Sequence, residues 1–415
     1  MAIFDESMGQ ENTEGKLRGM FICFILGIGC LIALNNMWTM GDYYYKVFPS
    51  YHPLLVFTII YQPFSLTTTF ILAHYESRIN SRIRNLCGYT LFFILSSLVL
   101  LLDLATSGKG GIGPFIGLNV LFACFGVTHA FVQGGVSGEL AFMCPEFIQS
   151  FIGGMTASGA VACGLRIFTK YNFEKYNNGL RKGALLSLAI STFFQLLSLI
   201  LYAFYFSKLS IVKYYRSKAA SEGAKTYIQN VDTNQQVGFV ANQQDGLSHK
   251  KLFIENIDYF AIIFMTYVLT LSIMPGFLYE DTGIHKLGTW YPLVLMTMYN
   301  IMDLISSYIP LIKCLKLESR KGLLVTTLSR FLLVPAFYFT AKYGDQGWMI
   351  LLVSYLGLTN GYVTVCVYTV VPKGYKGSEQ NALGNMLALW LLSGVFVGVV
   401  LGWLWLIGNS VPKTQ

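Results

Sequence analysis

Residues 290–316 read "WYPLVLMTMYNIMDLISSYIPLIKCLK". Asp303 stands near the middle, thirteen residues after Trp290 and ten before Lys313. At about 1.5 Å per helical residue, its carboxylate lies roughly 15–20 Å from either end of the run. A run this long and apolar predicts a helix crossing a bilayer. A charged group at bilayer centre costs at least about 2.5–3.5 kcal/mol on insertion scales, so it faces a cavity or a partner. Asn300, Asp303 and Ser307 recur at i, i+3 and i+7, which puts them on one helical face. Such a face serves either as a hydrogen-bond network between helices or as the polar lining of a cavity.

The rest of the chain has the same character. Of its 415 residues, 54% are hydrophobic, 15% aromatic and only 12% charged, against about 25% charged in an ordinary soluble domain. Eleven apolar runs have spanning length: 18–40, 53–73, 87–104, 114–142, 149–169, 184–207, 256–276, 288–312, 323–341, 347–371 and 380–408. The fold class is therefore an all-α polytopic membrane protein of 11 transmembrane helices. The net charge of +8 comes from Lys and Arg in short loops, as expected of cytoplasmic loops, and does not point to nucleic acid. The eight cysteines form no CxxC pair or metal-ligand spacing. The opening "MAIFDESMGQENTEGK" is polar and acidic, unlike a cleavable signal, so the first span is expected to act as its own signal anchor.

A cytoplasmic N-terminus puts twice as many basic residues in the inside loops as in the outside ones, which leaves the C-terminus extracellular or lumenal. The loop after span 5 runs against this trend, with Lys170, Lys175, Arg181 and Lys182. The chain divides into a cytoplasmic tail (1–17), a six-helix bundle (18–208), a polar linker (209–255), a five-helix bundle (256–408) and an outer tail (409–415). The Gln/Asn-rich linker has little apolar periodicity and reads as a disordered cytoplasmic connector. This 6+5 plan suits a transporter whose halves rock around a central site.

Other polar residues interrupt the spans. In span 4, "GVTHAFVQGGVSGEL" places His129 and Gln133 at i, i+4 beside a Gly pair, with Glu139 nearer the cytoplasmic end. Span 1 carries Asn35 and Thr39 on one face, with Asn36 adjacent; an amide supplies both donors and an acceptor to a sugar or base. Arg166 in span 5 and Arg330 in span 9 suit either snorkelling to an interface or pairing with an acid. Nucleotide-hydrolysing, zinc-hydrolase and serine-hydrolase motifs are absent from the sequence, so neither an enzyme nor a metal or other cofactor is indicated. The Gly-rich "SGKGGIG" at 107–113 reads as a flexible connector.

Several stretches together resemble the equilibrative nucleoside transporters, and within them the plant-type members. They are "GDYYYKVFPSYHP…YQPF" across spans 1 and 2, "FVQGG" in span 4, "YNIMDLISSYIP" in span 8 and "TNGYVTVCVYTVVPK" in span 10. The resemblance covers nearly the whole chain. It implies a major-facilitator-like fold and passage of nucleosides, purine or pyrimidine and sometimes nucleobases, by alternating access. It further implies that Gln133 recognises the base, that Asn300 and Asp303 contribute to the ribose site, and that Asn35 is the span-1 amide. Arg330 matches a recurrent span-9 arginine, and a span-2 contact falls near Tyr61.

Two positions depart from the family pattern. Leu34 stands where the family has a span-1 Trp, with Trp38 one turn away, and Ser307 stands where it has a span-8 Arg. An Arg there would supply a fork that Ser cannot reproduce. Without an adjacent cation, desolvation favours the neutral form of Asp303. Protons therefore enter as candidate partners, and Arg166 or His129 as alternative sources of charge. Ser307→Arg is expected to raise nucleoside affinity. The alternative to a carrier is a nucleoside-binding sensor that no longer transports. A monomer in the plasma membrane is the expected setting, with an internal membrane as the second choice.

Overall fold

The computed structural model describes residues 2–75, 79–173, 176, 178–219, 221, 241–274, 287–343, 346–375 and 377–408. Among these residues the chain is helical throughout, with no strand. A bilayer offers backbone amides no water, so a spanning segment must satisfy its hydrogen bonds within itself, as a helix does.

Helix α1 (Ala2–Thr39) is followed by the short α2 (Gly41–Val47) and then α3 (Pro53–His74), α4 (Ser81–Thr106), α5 (Ile112–Ala141) and α6 (Pro145–Phe173). Next comes α7 (Gly179–Ile200), prolonged by a π-helical turn at Leu201–Tyr205 and a 3₁₀ turn at Phe206–Lys208. Residues 210–219 form a further helix, α8. The second half contains α9 (Ala241–Ile273), α10 (Tyr291–Tyr308), α11 (Arg320–Ser329), α12 (Leu333–Tyr343), α13 (Gln346–Val370) and α14 (Ser378–Gly408). Local chemistry sets several starts. The Asn80 side chain accepts from the amides of Arg82 and Ile83 at 3.0 and 3.3 Å, capping α4. Ser319 caps α11 by accepting from Gly322 N at 3.3 Å. Pro53 occupies the first turn of α3, where its missing N–H is harmless.

Ten helices among the described residues are long and apolar enough to cross a membrane. The sequence run 288–312 is not among them: its helix, α10, carries Asn300, Asp303, Ser306 and Ser307. It nonetheless packs lengthwise between α6 and α13. The 209–255 linker contains two helical pieces, α8 and the start of α9. The expectation of disorder for residues 222–240, and the outer tail 409–415, lie outside the described residues.

Helices α1 to α7 form one group, with α1 against α6 and α7, and α5 against α3 and α4. Helices α9 to α14 form the other, with α9 against α14 and α10 against α13. The groups meet where α5 and α3 touch α14 and where α6 touches α10. At α5–α14 the backbones come close: a Cβ on Gly384 would stand 2.6 Å from Ser137 O.

The first group is anchored by Glu139, which is buried on α5. Its carboxylate accepts from Asn85 Nδ2 on α4 at 2.9 Å, from the Tyr202 hydroxyl at 2.7 Å, and from Arg216 Nε on α8 at 2.9 Å. Arg216 Nη2 donates to it as well. One carboxylate thus joins two spanning helices to the α7 extension and to the start of the connector. Removing one partner of a buried pair costs about 3–5 kcal/mol, because the other is left uncompensated. Glu139→Ala is therefore expected to lower the melting temperature of the detergent-purified protein sharply. Glu139→Gln, which keeps an acceptor for Tyr202 and Asn85, is expected to lose less.

Candidate functional site

Between the two helix groups lies a cavity of about 160 Å³. The first group contributes Leu34, Asn35 and Trp38 from α1, Tyr61 and Gln62 from α3, and His129 and Gln133 from α5. The second contributes Tyr267 and Thr270 from α9, Tyr299, Asn300 and Asp303 from α10, Asn360 from α13 and the apolar floor of Leu391, Leu392 and Val395 from α14.

The two walls differ in how their polar groups are satisfied. On the α3–α5 wall, Gln62 Oε1, Gln133 Oε1 and His129 Nε2 are buried and have no hydrogen-bond partner among the described residues. His129 Nδ1 lies 3.4 Å from Ser65 Oγ, and its ring packs against Tyr61 with centroids 5.8 Å apart. A buried polar atom left unpaired costs about 1–3 kcal/mol, which a ligand that pairs it recovers. All three side chains line the same wall of the cavity.

On the opposite wall several polar groups are hydrogen-bonded within the protein. Asp303, buried on α10, accepts from Asn360 Nδ2 on α13 at 3.1 Å. Asn300 donates to Met296 O at 2.8 Å and approaches Cys163 Sγ on α6 at 3.5 Å. Gly159 makes room for that amide, since a Cβ there would overlap Asn300 Oδ1.

Leu34, Asn35, Trp38, Tyr61, His129, Gln133, Asn300 and Asp303, all singled out in the sequence, line this one cavity. Asn35 Nδ2 also donates to Ser158 Oγ on α6 at 2.6 Å. Asn36 turns away, donating to Ser187 O at 3.1 Å and Ser191 Oγ at 2.9 Å, and so holds α1 to α7.

Two expected positions are corrected, and for a third one of two alternatives is removed. Ser307 is fully buried but off the cavity lining: its Oγ donates to Asp303 O at 2.9 Å, and its carbonyl accepts from Gln149 Nε2 of α6 at 3.0 Å. It belongs to the contact that closes α6 against α10. Arg166 is no partner of Asp303; it pairs with Asp42 of α2. Arg330 is fully buried rather than snorkelling, at a 3₁₀ turn (Arg330–Leu332) between α11 and α12. Pro335 lies at the start of α12 and cannot donate to Phe331 O, which favours that break.

Gln62, Thr270 and Asn360 are cavity residues that sequence reasoning missed. Gln62 was within the quoted "YQPF", and Asn360 within "TNGY", but neither string says which neighbour faces inward. Thr270 sits in an ordinary apolar run.

The halves are joined at the end near α8 by polar contacts. Arg84 of α4 donates to Asn385 Oδ1 of α14 at 2.9 Å, and to the carbonyls of Ala130 and Phe131 at 2.9 and 3.0 Å. At the other end Lys170 of α6 lies over the Trp290 ring, 4.8 Å from its centroid.

A family model described as Nucleoside transporter matches residues 120–407. Among curated proteins, Equilibrative nucleotide transporter 3 of Arabidopsis thaliana is 58% identical over 98% of both chains. Equilibrative nucleotide transporter 5 of the same plant is 56% identical, again over 98% of each. Among solved structures, a major facilitator superfamily proton:xylose symporter superposes with a TM-score of 0.66 over 96% of this chain and 90% of that one, at 12% identity. A bacterial homologue of the iron transporter ferroportin, in an outward-facing state, gives 0.54 over 92% of each chain at 14% identity. These two likenesses are of fold.

The placement of Ser307 reverses the expectation for Ser307→Arg. A guanidinium at this fully enclosed position finds no room in the packing of α10 and buries a charge with no partner. The variant is expected to lose folded yield and uptake, read by size-exclusion profile and substrate flux, rather than to gain affinity.

Proposed function

The chain belongs to the nucleoside transporter family, and on that premise we propose that it carries nucleosides across a membrane by alternating access. The observation that carries this reading is the contrast between the two cavity walls. Unpaired Gln133, Gln62 and His129 atoms suit the donors and acceptors on the edge of a purine or pyrimidine. Asn300 and Asp303, across the cavity, suit ribose hydroxyls, which donate to a carboxylate. Tyr61, Trp38 and Tyr299 supply flat apolar surface for the base.

The relatives bear the word nucleotide in their names, but the cavity chemistry favours the uncharged nucleoside. Asp303 is the one acidic side chain on the described lining, and no lysine or arginine lines it. A phosphate placed there would meet a carboxylate of like sign, with no lining cation to offset it.

The plan we propose is eleven spans in a 6+5 arrangement, with the N-terminus cytoplasmic and the plasma membrane as its site. In the described conformation, α5–α14 and α6–α10 close the end near α8. Rocking of the halves would break those contacts and expose the cavity on that side. The alternative, a nucleoside-binding sensor that does not transport, rested on Ser307 standing where an Arg was expected; flux separates it from a carrier. We read passage as facilitative, with Asp303 the lining group through which protons influence it.

In cells lacking their own carriers, radiolabelled uridine and adenosine are expected to enter and to exchange in counterflow, unmodified. Their monophosphates are expected neither to enter nor to compete; competition by a monophosphate at nucleoside-like concentrations would remove the argument from cavity charge. Gln133→Ala is expected to raise the nucleoside KM about tenfold, the equivalent of one lost hydrogen bond in a dry site. Any change in uptake between mildly acidic and neutral pH is expected to disappear in Asp303→Asn.

A further inference from the structure

Asp303 has no cation within ion-pair distance among the described residues, yet it is connected to one through two uncharged side chains. Asn360 Nδ2 donates to Asp303 Oδ1 at 3.1 Å. Thr270 Oγ1 lies 2.9 Å from Asn360 Oδ1 as its donor. Arg330 Nη2 donates to Thr270 Oγ1 at 2.9 Å. The sequence is cation, hydroxyl, amide, carboxylate, and it crosses from the α11–α12 break through α9 and α13 to α10.

Proton accounting fixes its direction. An ionised carboxylate can only accept, so the Asn360 amide must present Nδ2 to Asp303 and its oxygen to Thr270. Arginine can only donate, so Thr270 must receive from Arg330 and pass its single proton onward. That proton has two acceptors at 2.9 Å, Asn360 Oδ1 and Thr266 O. Thr266 O is already served by Arg330 Nη1 at 3.3 Å, so directing the hydroxyl to Asn360 leaves neither oxygen bare. Arg330 Nε is used by Thr359 Oγ1 at 3.0 Å. Every link is buried, where hydrogen bonds polarise one another and charge is weakly screened.

We propose that Thr270 and Asn360 are positioning residues: they transmit the Arg330 charge to Asp303 and hold its carboxylate in the orientation that receives a ribose. In this chain the relay does from the α11–α12 break what a cation one turn along α10 would otherwise do, and Ser307 is thereby freed to close α10 against α6. The inference rests on the reading of Asp303 as a substrate contact. Tyr267 and Tyr299, also near Asp303, and His129 across the cavity are the other titratable groups facing it. Tyr267 also meets the Asn360 side chain, as a branch off the line from Arg330.

The test is a kinetic double-mutant cycle on the full chain. Thr270→Val keeps shape and deletes the hydroxyl, while Thr270→Ser restores it. Initial-rate uptake of uridine is measured alongside surface abundance. Thr270→Val and Asn360→Ala are each expected to raise the uridine KM about tenfold with surface abundance near native. Thr270→Ser is expected to recover most of the loss. In an Asp303→Asn background, Thr270→Val is expected to add nothing, because the relay then ends on an amide. A loss that Thr270→Ser fails to recover, or losses that multiply in the double variant, would overturn the relay in favour of plain packing or direct contact. A second readout needs no substrate: melting temperatures of purified Thr270→Val, Arg330→Gln and the double variant are expected to be non-additive. Additive shifts would also overturn the relay. Failure of the native chain to carry uridine would count against the nucleoside reading alone and leave that second cycle decisive.

Discussion

The structure depends on holding an almost fully buried carboxylate at the edge of a cavity. Removing an ion from water costs several kcal/mol even after relaxation, and a low-dielectric interior returns that only through well-placed partners. Asp303 obtains them by recruiting α13 and α9 and, beyond them, the broken span at Arg330. Each of those helices then has a fixed register relative to α10, because a slip of one residue would turn its polar side chain out of the network. The same bonds that make the charge tolerable therefore align the second half of the molecule as one body.

The first half meets the same problem at its edge and answers it differently. Glu139 gathers α4, α5 and the end of α7 directly, with Arg216 from the connector as its counter-charge. Towards the cavity, however, Gln62, Gln133 and His129 keep atoms unpaired. The contrast makes chemical sense for a carrier. A wall whose amide, hydroxyl and carboxylate are bonded within the protein stays rigid and suits a ligand held by geometry. A wall with unpaired groups gains most when a ligand arrives, and that gain is what differential binding can spend on a conformational change.

Much of this was legible in the sequence, because apolar length and helical period are strong signals. Ten of the eleven apolar runs, the shared face of Asn300 and Asp303, and the placing of His129 with Gln133 on one wall all follow from spacing. Periodicity failed where depth or azimuth mattered. Ser307 keeps the azimuth of Asn300, since seven residues drift only about 20°. It lies one turn beyond Asp303 towards the end, where α6 already touches α10. Asn35 and Asn36 differ by a single step of the helix, and only packing tells that the first meets the cavity while the second ties α1 to α7. The partner of Arg330 was beyond reach for another reason: its two intermediaries are neutral, and a search for opposite charges passes over a threonine and an asparagine.

Helix α5 brings the two functions of the fold together. Gln133 stands beside Gly134, and the carbonyls of Ala130 and Phe131 immediately before it are held by Arg84. The same guanidinium reaches Asn385 across the junction of the halves. Separating α5 from α14 at that end must break the Arg84–Asn385 bond, whereas the bonds from Arg84 to the α5 backbone can persist because both ends lie in one half. The backbone that presents Gln133 therefore stays supported as the junction opens. What changes is the distance from Gln133 to Asp303, which belong to opposite halves. A ligand long enough to engage both walls at once binds best when the halves are closest. That favours a cargo carrying a base at one end and a sugar at the other.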